Sequence, residues 1–487
     1  MSLWKIAWRS ILQRGLASSL TAFSMALGVA LVTLVLLAHG ILERSFKNNS
    51  SLGYNVVVGA TKGGQLQLVL NTVFYLSRPV ENVPYHVYLD FLNKEQQEAE
   101  LALVRPQDRP AAADGKFHLY TRLAIPVCLG DYFGPYRVIG TVPRFFTDLK
   151  YGPDGDLAYR FAEGGNFTPK SPKHGFFEAV VGSTVAREMN VRVGSEISPS
   201  HGTPDGELHD ENPFTVVGVL APTGTPVDRG VYVNIEGFYL MANHARPLKE
   251  VDPEAAAAEE AAAAAPPSTG GPAPAKPAQF NPLPVKQREV TAILVQTDPI
   301  LSDHLLRAIN KGNEAQAAYP TLVIFELFDT LVTPIQQVLL GMTMLICVVS
   351  GISILVSIYN SMSERRHEIA VMRALGAGRS TVMSIVLLES IMLALGGGLL
   401  GWGVGHLAIG LLSPIIEART GVSIGPFELA PSVNVLEFFL ADPIIPLRLS
   451  TELFIIPGLI LLAVVVGLLP ALAAYGTDVA KALGDRP

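Results

Sequence analysis

The chain has 487 residues, 49% of them hydrophobic, a mean hydropathy of +0.35 and a formal net charge of −7. It is too apolar for an ordinary soluble protein and too polar for one wholly embedded in lipid, so a few membrane spans with a large soluble part fit best. The acidic balance leaves no nucleic-acid footprint, and with two cysteines, Cys128 in the soluble part and Cys347 within a span, the fold cannot depend on a disulfide.

Residues 1–14 place Trp4, Ile6, Ala7, Trp8, Ile11 and Leu12 among Lys5, Arg9 and Arg14. The pattern predicts a short basic amphipathic helix on the inner membrane face, an anchor in preference to a partner contact. Residues 15–42 carry no charge and form the first span, too long for the apolar core of a signal peptide. Lys5, Arg9 and Arg14 hold the N-terminus in the cytoplasm.

Residues 43–333 therefore lie outside, enough chain for one or two domains with their own cores. Strand-like runs recur at Tyr54–Val58, Gln65–Leu70, Ile125–Leu129, Tyr136–Thr141, Glu178–Val181, Phe214–Leu220, Val231–Asn234, Val290–Gln296 and Thr321–Phe325. Helical runs are expected at Tyr85–Gln97, Thr184–Met189 and Ile300–Lys311. The class expected is α+β. In the Ala/Pro-rich stretch 254–279 the Ala/Glu part is compatible with a short helix, while the Pro/Gly part 266–278 cannot pack and is expected to be a mobile surface loop. His201, His209, Asp210 and Glu211 carry metal-binding side chains, but their spacing matches no tight motif. They read as a solvated loop, with no metal expected.

Residues 334–362 form the second span, 380–412 the third and 453–475 the fourth. Each apolar run beside residues 363–379 exceeds the roughly 20 residues that cross a bilayer, so 363–379 is a short loop between spans. It is also helical by pattern. Ile369, Met372 and Leu375 with Gly376 recur at three-to-four spacing, while Glu364, Arg365, Arg366, Glu368 and Arg373 occupy other faces. Gly376 and Gly378 offer left-handed stops, and Ser380 a cap for the next helix. Arg365, Arg366, Arg373 and Arg379 put the loop in the cytoplasm. A stiff amphipathic helix tied to two spans suits force transfer between a soluble partner and the membrane; the alternative is a hairpin tip lying at the lipid surface.

The third span carries Gly397, Gly401 and Gly405, a small-residue ladder for close packing within the subunit or across a dimer. Glu389 lies about 15 Å along it by helix rise. An intramembrane acid is a functional candidate, though hydrogen bonding to a neighbouring span is the preferred role. His406 is expected near the outer interface. Residues 413–452 return outside, and 476–487 form a cytoplasmic tail.

The run ERRHEIAVMRALGAGRSTVMSIVLLES resembles the signature of FtsX/MacB-type ABC transporter permeases, carried by Glu364-Arg365-Arg366, Glu368-Ile369-Ala370, Arg373-Ala374-Leu375-Gly376-Ala377 and Leu387-Leu388-Glu389. Two segments, 180–197 and 214–228, are similar to the extracytoplasmic domain of the MacB type. GLLPALAAYGTDVAKAL, 467–483, resembles that family's C-terminal end, with Tyr475 where the family often has Arg. The resemblance implies a membrane protein of four transmembrane helices with a large α+β domain inserted between the first and second. It implies that Glu364–Gly376 is the coupling helix, seated in a groove of a cytoplasmic ABC ATPase. A second permease copy or a paralogue, membrane lipid and an envelope partner complete the expected company. The location implied is the bacterial inner membrane, with both termini cytoplasmic. The work implied is export or extraction of a lipoprotein, lipid, peptide or drug; the alternative is a non-transporting scaffold or receptor regulating an envelope enzyme such as a cell-wall hydrolase.

A permease needs a separate motor. The nearest string to a phosphate-binding loop, GGNFTPKS at 164–171, has Pro169 where a glycine must wrap phosphate, and it lies on the outer side. ATP and Mg²⁺ are therefore expected on the partner, and this chain is expected to be no enzyme and to bind no cofactor. Ser, His and Asp residues are scattered without a nucleophile-elbow context.

Overall fold

The computed structural model describes residues 3–49, 52–152, 155–242, 244–247, 281–364, 366–420, 429–434 and 448–475. The Ala/Pro-rich stretch 254–279, Arg365 and the tail 476–487 lie outside the described residues. Two compact units result: Met1–Arg44 with Asp329–Arg419 and Ser423–Pro487, and Ser45–Phe328 with Thr420–Val422.

The second unit is built on one mixed sheet. In chain order its strands are β1 (Val56–Gly59), β2 (Leu123–Phe133), β3 (Tyr136–Thr141), β4 (Phe161–Gly164), β5 (Glu178–Val181), β6 (Glu196–Ile197), β7 (Phe214–Leu220), β8 (Gly230–Asn234), β9 (Ala292–Gln296) and β10 (Gln316–Ala318). The spatial order is β10-β1-β9-β2-β3-β8-β5-β7-β4, with β6 paired to β7. The β3–β8 and β5–β7 pairs are parallel and the others antiparallel. Because both faces are covered, β1, β3, β5 and β8 are buried along their whole length and read as apolar runs rather than alternations.

Two expected strands are helices. Gln65–Leu70 lies in the helix Gly64–Thr72, whose buried residues Leu68, Val69, Asn71 and Thr72 follow helical spacing. Gly63 and Gly64, both at positive φ, turn the chain into it. Thr321–Phe325 lies in the helix Pro320–Leu327, where Pro320 occupies the first turn, a position that needs no N–H. The run expected as one helix over Tyr85–Gln97 divides into Tyr85–Leu89 and Lys94–Glu100, because Asn93 caps the second in a reciprocal capping box with Gln96. Val290–Gln296 also divides, its first part pairing with Val83–Pro84 outside the main sheet.

One buried ion pair fixes the segment after β8. Arg288 reaches Glu236 through two bonds of 2.7 and 3.0 Å, and its guanidinium lies over the rings of Tyr85 and Tyr239. Burial pushes the Glu236 carboxyl above its ordinary range, and Arg288 opposes that push. The short helix Ile235–Tyr239 is thus held at its first turn.

Among the described residues, four helices are long and apolar enough to cross a membrane: Gly15–Asn49, Thr333–Glu364, Arg379–Thr420 and Ile455–Tyr475. The helix Pro320–Leu327 leads through a π turn at Phe328–Val332 into the second of these. Neighbouring contacts fix their directions. Ser24 bonds Ser350 at 2.9 Å, and a side chain at Gly28 would meet Ile346, so the first two helices run antiparallel. Gly398 faces Leu459 while Gly467 faces Ser390, so the third and fourth do likewise. Gly40 and Asp329 therefore lie at one end of the bundle and the loop 366–378 at the other.

Candidate coupling site

Between the second and third long helices the chain forms a separate helix, Arg366–Ala374. Its end is a Schellman motif. Ala377 N–H donates to Met372 O at 3.0 Å and Gly376 N–H to Arg373 O at 3.1 Å, with Gly376 at φ 102°. Gly376 thus makes the left-handed stop that both glycines had offered, while Gly378 has no positive φ. The next helix begins at Arg379, one residue before the Ser380 expected to cap it.

The apolar stripe expected on this helix divides. Ile369 and Val382 are buried against each other, Met372 packs on them, and Ala370 is fully buried. Leu375, expected on the same stripe, is 84% exposed, and Val371, one turn earlier, is 39% exposed. The helix ends at Ala374, so Leu375 leaves the helical spacing and turns outward with Ala374 and Gly376. Arg373 is half-buried. Glu364, Arg366 and Glu368 are helical in backbone, and their side chains lie outside the described residues.

Glu389 is buried, and Ser10 donates to its Oε2 at 3.0 Å. Ser10 belongs to the N-terminal amphipathic helix Leu3–Gln13, whereas the expected role was a hydrogen bond to a neighbouring span. That helix buries Ala7 and Ser10 and leaves Trp4, Trp8 and Leu12 exposed in one stripe, the arrangement of a helix lying in a membrane interface. Arg14, at the start of the first span, donates to the Ser357 carbonyl at 3.0 Å. One polar layer therefore joins the N-terminal helix to the spans that lead into and out of the loop.

The glycine ladder faces the first span. A Cβ at Gly397 would lie 2.6 Å from Ala22 O, at Gly401 2.3 Å from Ala26 O, and at Gly405 2.9 Å from Thr33 Cβ. Both helices advance four residues or so per rung in the same direction, so the ladder is used inside the chain. At the other end of the bundle Glu452 is buried. It accepts from Trp402 Nε1 at 3.0 Å and Ala430 N–H at 2.7 Å, and its Oε2 lies 2.9 Å from His406 Nε2. Nothing local in the sequence marked Ser10 or Glu452, because each bonds across separate elements.

The loop that read as solvated is only partly so. His201 is exposed, but the His209 side chain is 10% exposed and turns inward. Burial pushes the His209 imidazole below its ordinary value; Asp131 pulls the other way, and His244 and His201 add to the push. The group that forms there is Asp131, His201, His209 and His244, without Asp210 or Glu211.

Residues 18–265 match the family model described as MacB-like periplasmic core domain, and residues 340–479 match FtsX-like permease C-terminal. YknZ of Bacillus subtilis (strain 168), an uncharacterized ABC transporter permease, is 40% identical over 81 residues, 15% of this chain and 20% of that protein. The chain thus aligns with about a fifth of that relative's length.

Proposed function

The chain belongs to the FtsX/MacB-type ABC transporter permeases, and on that premise we propose that it is the membrane subunit through which a separate cytoplasmic ATPase moves an extracytoplasmic domain. The observation that carries the reading is the helix Arg366–Ala374. It is stopped by a Schellman motif, pinned by Ile369 and Met372 on Val382, and presents Leu375 outward at 84% exposure. A pinned helix transmits a push, and an exposed leucine beside Val371 gives a partner something to grip. Closure of the ATPase would tilt this helix and with it the second-span helix, which continues through the π turn at Phe328–Val332 to Pro320.

The positive-inside rule supports a cytoplasmic loop and cytoplasmic termini in a bacterial cell membrane. Two ATPase seats call for a second copy or a paralogue. The 397/401/405 ladder is occupied within the chain, so that neighbour would meet another face. The outer domain would then act on an envelope substrate, a lipoprotein, lipid, peptide or drug. This chain would do no chemistry itself.

Burying Leu375 against a partner is worth about 1.5–3 kcal/mol. The test is Val371→Asp with Leu375→Asp in the full chain, reconstituted with the ABC subunit that co-purifies with it. Stimulation of ATP hydrolysis should fall about tenfold or more at fixed subunit concentration. The melting curve should not move, since both side chains are exposed. Unchanged stimulation would refute the coupling role.

A further inference from the structure

We propose that Asp131, His201, His209 and His244 bind one divalent transition ion, zinc being the best fit, in the sheet domain. Their candidate ligand atoms all lie within 4.8 Å of one another. Asp131 Oδ2 is 3.0 Å from His244 Nε2 and 3.4 Å from His209 Nε2, and Oδ1 is 3.5 Å from His201 Nδ1. A tetrahedral zinc site with bonds of about 2.0–2.1 Å has ligand-to-ligand edges of about 3.3 Å. The Oδ2 gaps to His244 and His209 bracket that edge, and His201 faces the other carboxylate oxygen.

The second observation is an orphaned set. Asp131 Oδ2, His209 Nε2 and His244 Nε2 are buried atoms that make no hydrogen bond. The Asp131 side chain is 0% exposed, His244 6% and His209 10%. Buried polar atoms without a partner cost roughly 1–3 kcal/mol each, so three pointing at one spot need an explanation. The His244 Nδ1 lies 2.7 Å from the Ala242 carbonyl, which only accepts, so Nδ1 holds the proton. In the neutral ring Nε2 then turns a lone pair toward a carboxylate oxygen. Two acceptors facing each other at 3.0 Å repel unless a proton or a metal cation lies between them, and this pair does not make a hydrogen bond.

The fold builds this site on purpose-made geometry. A β-bulge between Leu129 and Tyr132, opposite Ile139 and Arg137, sets Asp131 at the irregular end of β2. Backbone bonds between Tyr132 and Ser200, 3.0 and 2.7 Å, zip the loop after β6 onto this end and bring His201 beside Asp131. A bridge between Ser200 and Leu208 closes that loop and delivers His209. His244 arrives from the segment after the helix Ile235–Tyr239, its ring packed on Phe238 at 4.6 Å. Three imidazoles and one carboxylate suit zinc and its neighbours, whereas calcium and magnesium prefer all-oxygen shells. Asp131, His201 and His244 also line a cleft of about 620 Å³. His201, 44% exposed, is the ligand on the solvent side.

This inference does not depend on the coupling reading and needs no ATPase for its test. The full chain is purified in detergent without a polyhistidine tag, dialysed against Zn²⁺ and analysed for metal, and titrated with Co²⁺ for its visible spectrum. One Zn²⁺ per chain and an intense tetrahedral Co²⁺ band are expected. His201→Ala, at an exposed position, should fold normally and bind Zn²⁺ about 100-fold or more weakly. Asp131→Asn should lose the Co²⁺ band. Absence of stoichiometric Zn²⁺ from the wild-type chain, or equal Zn²⁺ affinity in the wild type and His201→Ala, overturns the proposal.

Discussion

Gly401 gives the sharpest test of how the spans pack. Replacing it with alanine puts a carbon 2.3 Å from Ala26 O, and 2.9 Å from the Ala26 carbonyl carbon and Cα. Close C–H···O contacts sit at about 3.3–3.6 Å, so the first and third helices must part by about 1 Å. A gap of that size forfeits a quarter to a half of each contact's attraction. It would be felt at Gly397 and Gly405 too, which rest on the same partner helix. Overpacking of this kind costs about 1–3 kcal/mol. Gly403, on the same helix, is exposed, and a Cβ there would meet nothing within 4 Å. Gly403→Ala should therefore stabilise by roughly 0.5–1 kcal/mol through helix propensity. The two variants are compared by equilibrium unfolding in mixed micelles, followed by circular dichroism. Opposite signs, separated by about 1.5–4 kcal/mol, are expected. If Gly401→Ala is as stable as the wild type, or the two variants behave alike, the ladder does not pack on the first span.

Glu452→Ala should strand the Trp402 and Ala430 N–H groups, at about 1–3 kcal/mol each, and so lower the melting temperature. Glu452→Gln, which keeps one acceptor oxygen, should be milder; equal melting of the two would argue against the cluster. The sheet domain should weaken in alkali. Burial pushes the Tyr75 hydroxyl from 10.0 up to about 12, with the Tyr232 hydrogen bond partly opposing. The unfolded chain then loses this proton first. The contribution is intact below pH 10.0 and drains away toward about pH 12, at about 1.4 kcal/mol per step of one in pH. Denaturant midpoints should fall across that window, and fall less steeply in Tyr75→Phe.

The loop helix was readable because its cause is local. Ile369, Met372 and Gly376 specify a helix and its stop within a dozen residues, and apolar length alone marked the four spans. The two mistaken strands were short apolar runs, where period cannot separate helix from strand. There Gly63, Gly64 and Pro320 decided for helix through backbone geometry.

What the sequence determined by itself was therefore the four apolar spans, the position of the loop helix and the family. What only the tertiary structure decided was which faces are used. The outward turn of Leu375, the seating of the ladder on Ala22 and Ala26, and the bond from Ser10 to Glu389 depend on how separate helices pack. The convergence of Asp131 with His201, His209 and His244 has the same origin. Its members lie up to 113 positions apart in the chain (131 to 244), and a bulge and a strand bridge, invisible to any spacing rule, bring them within reach of one ion.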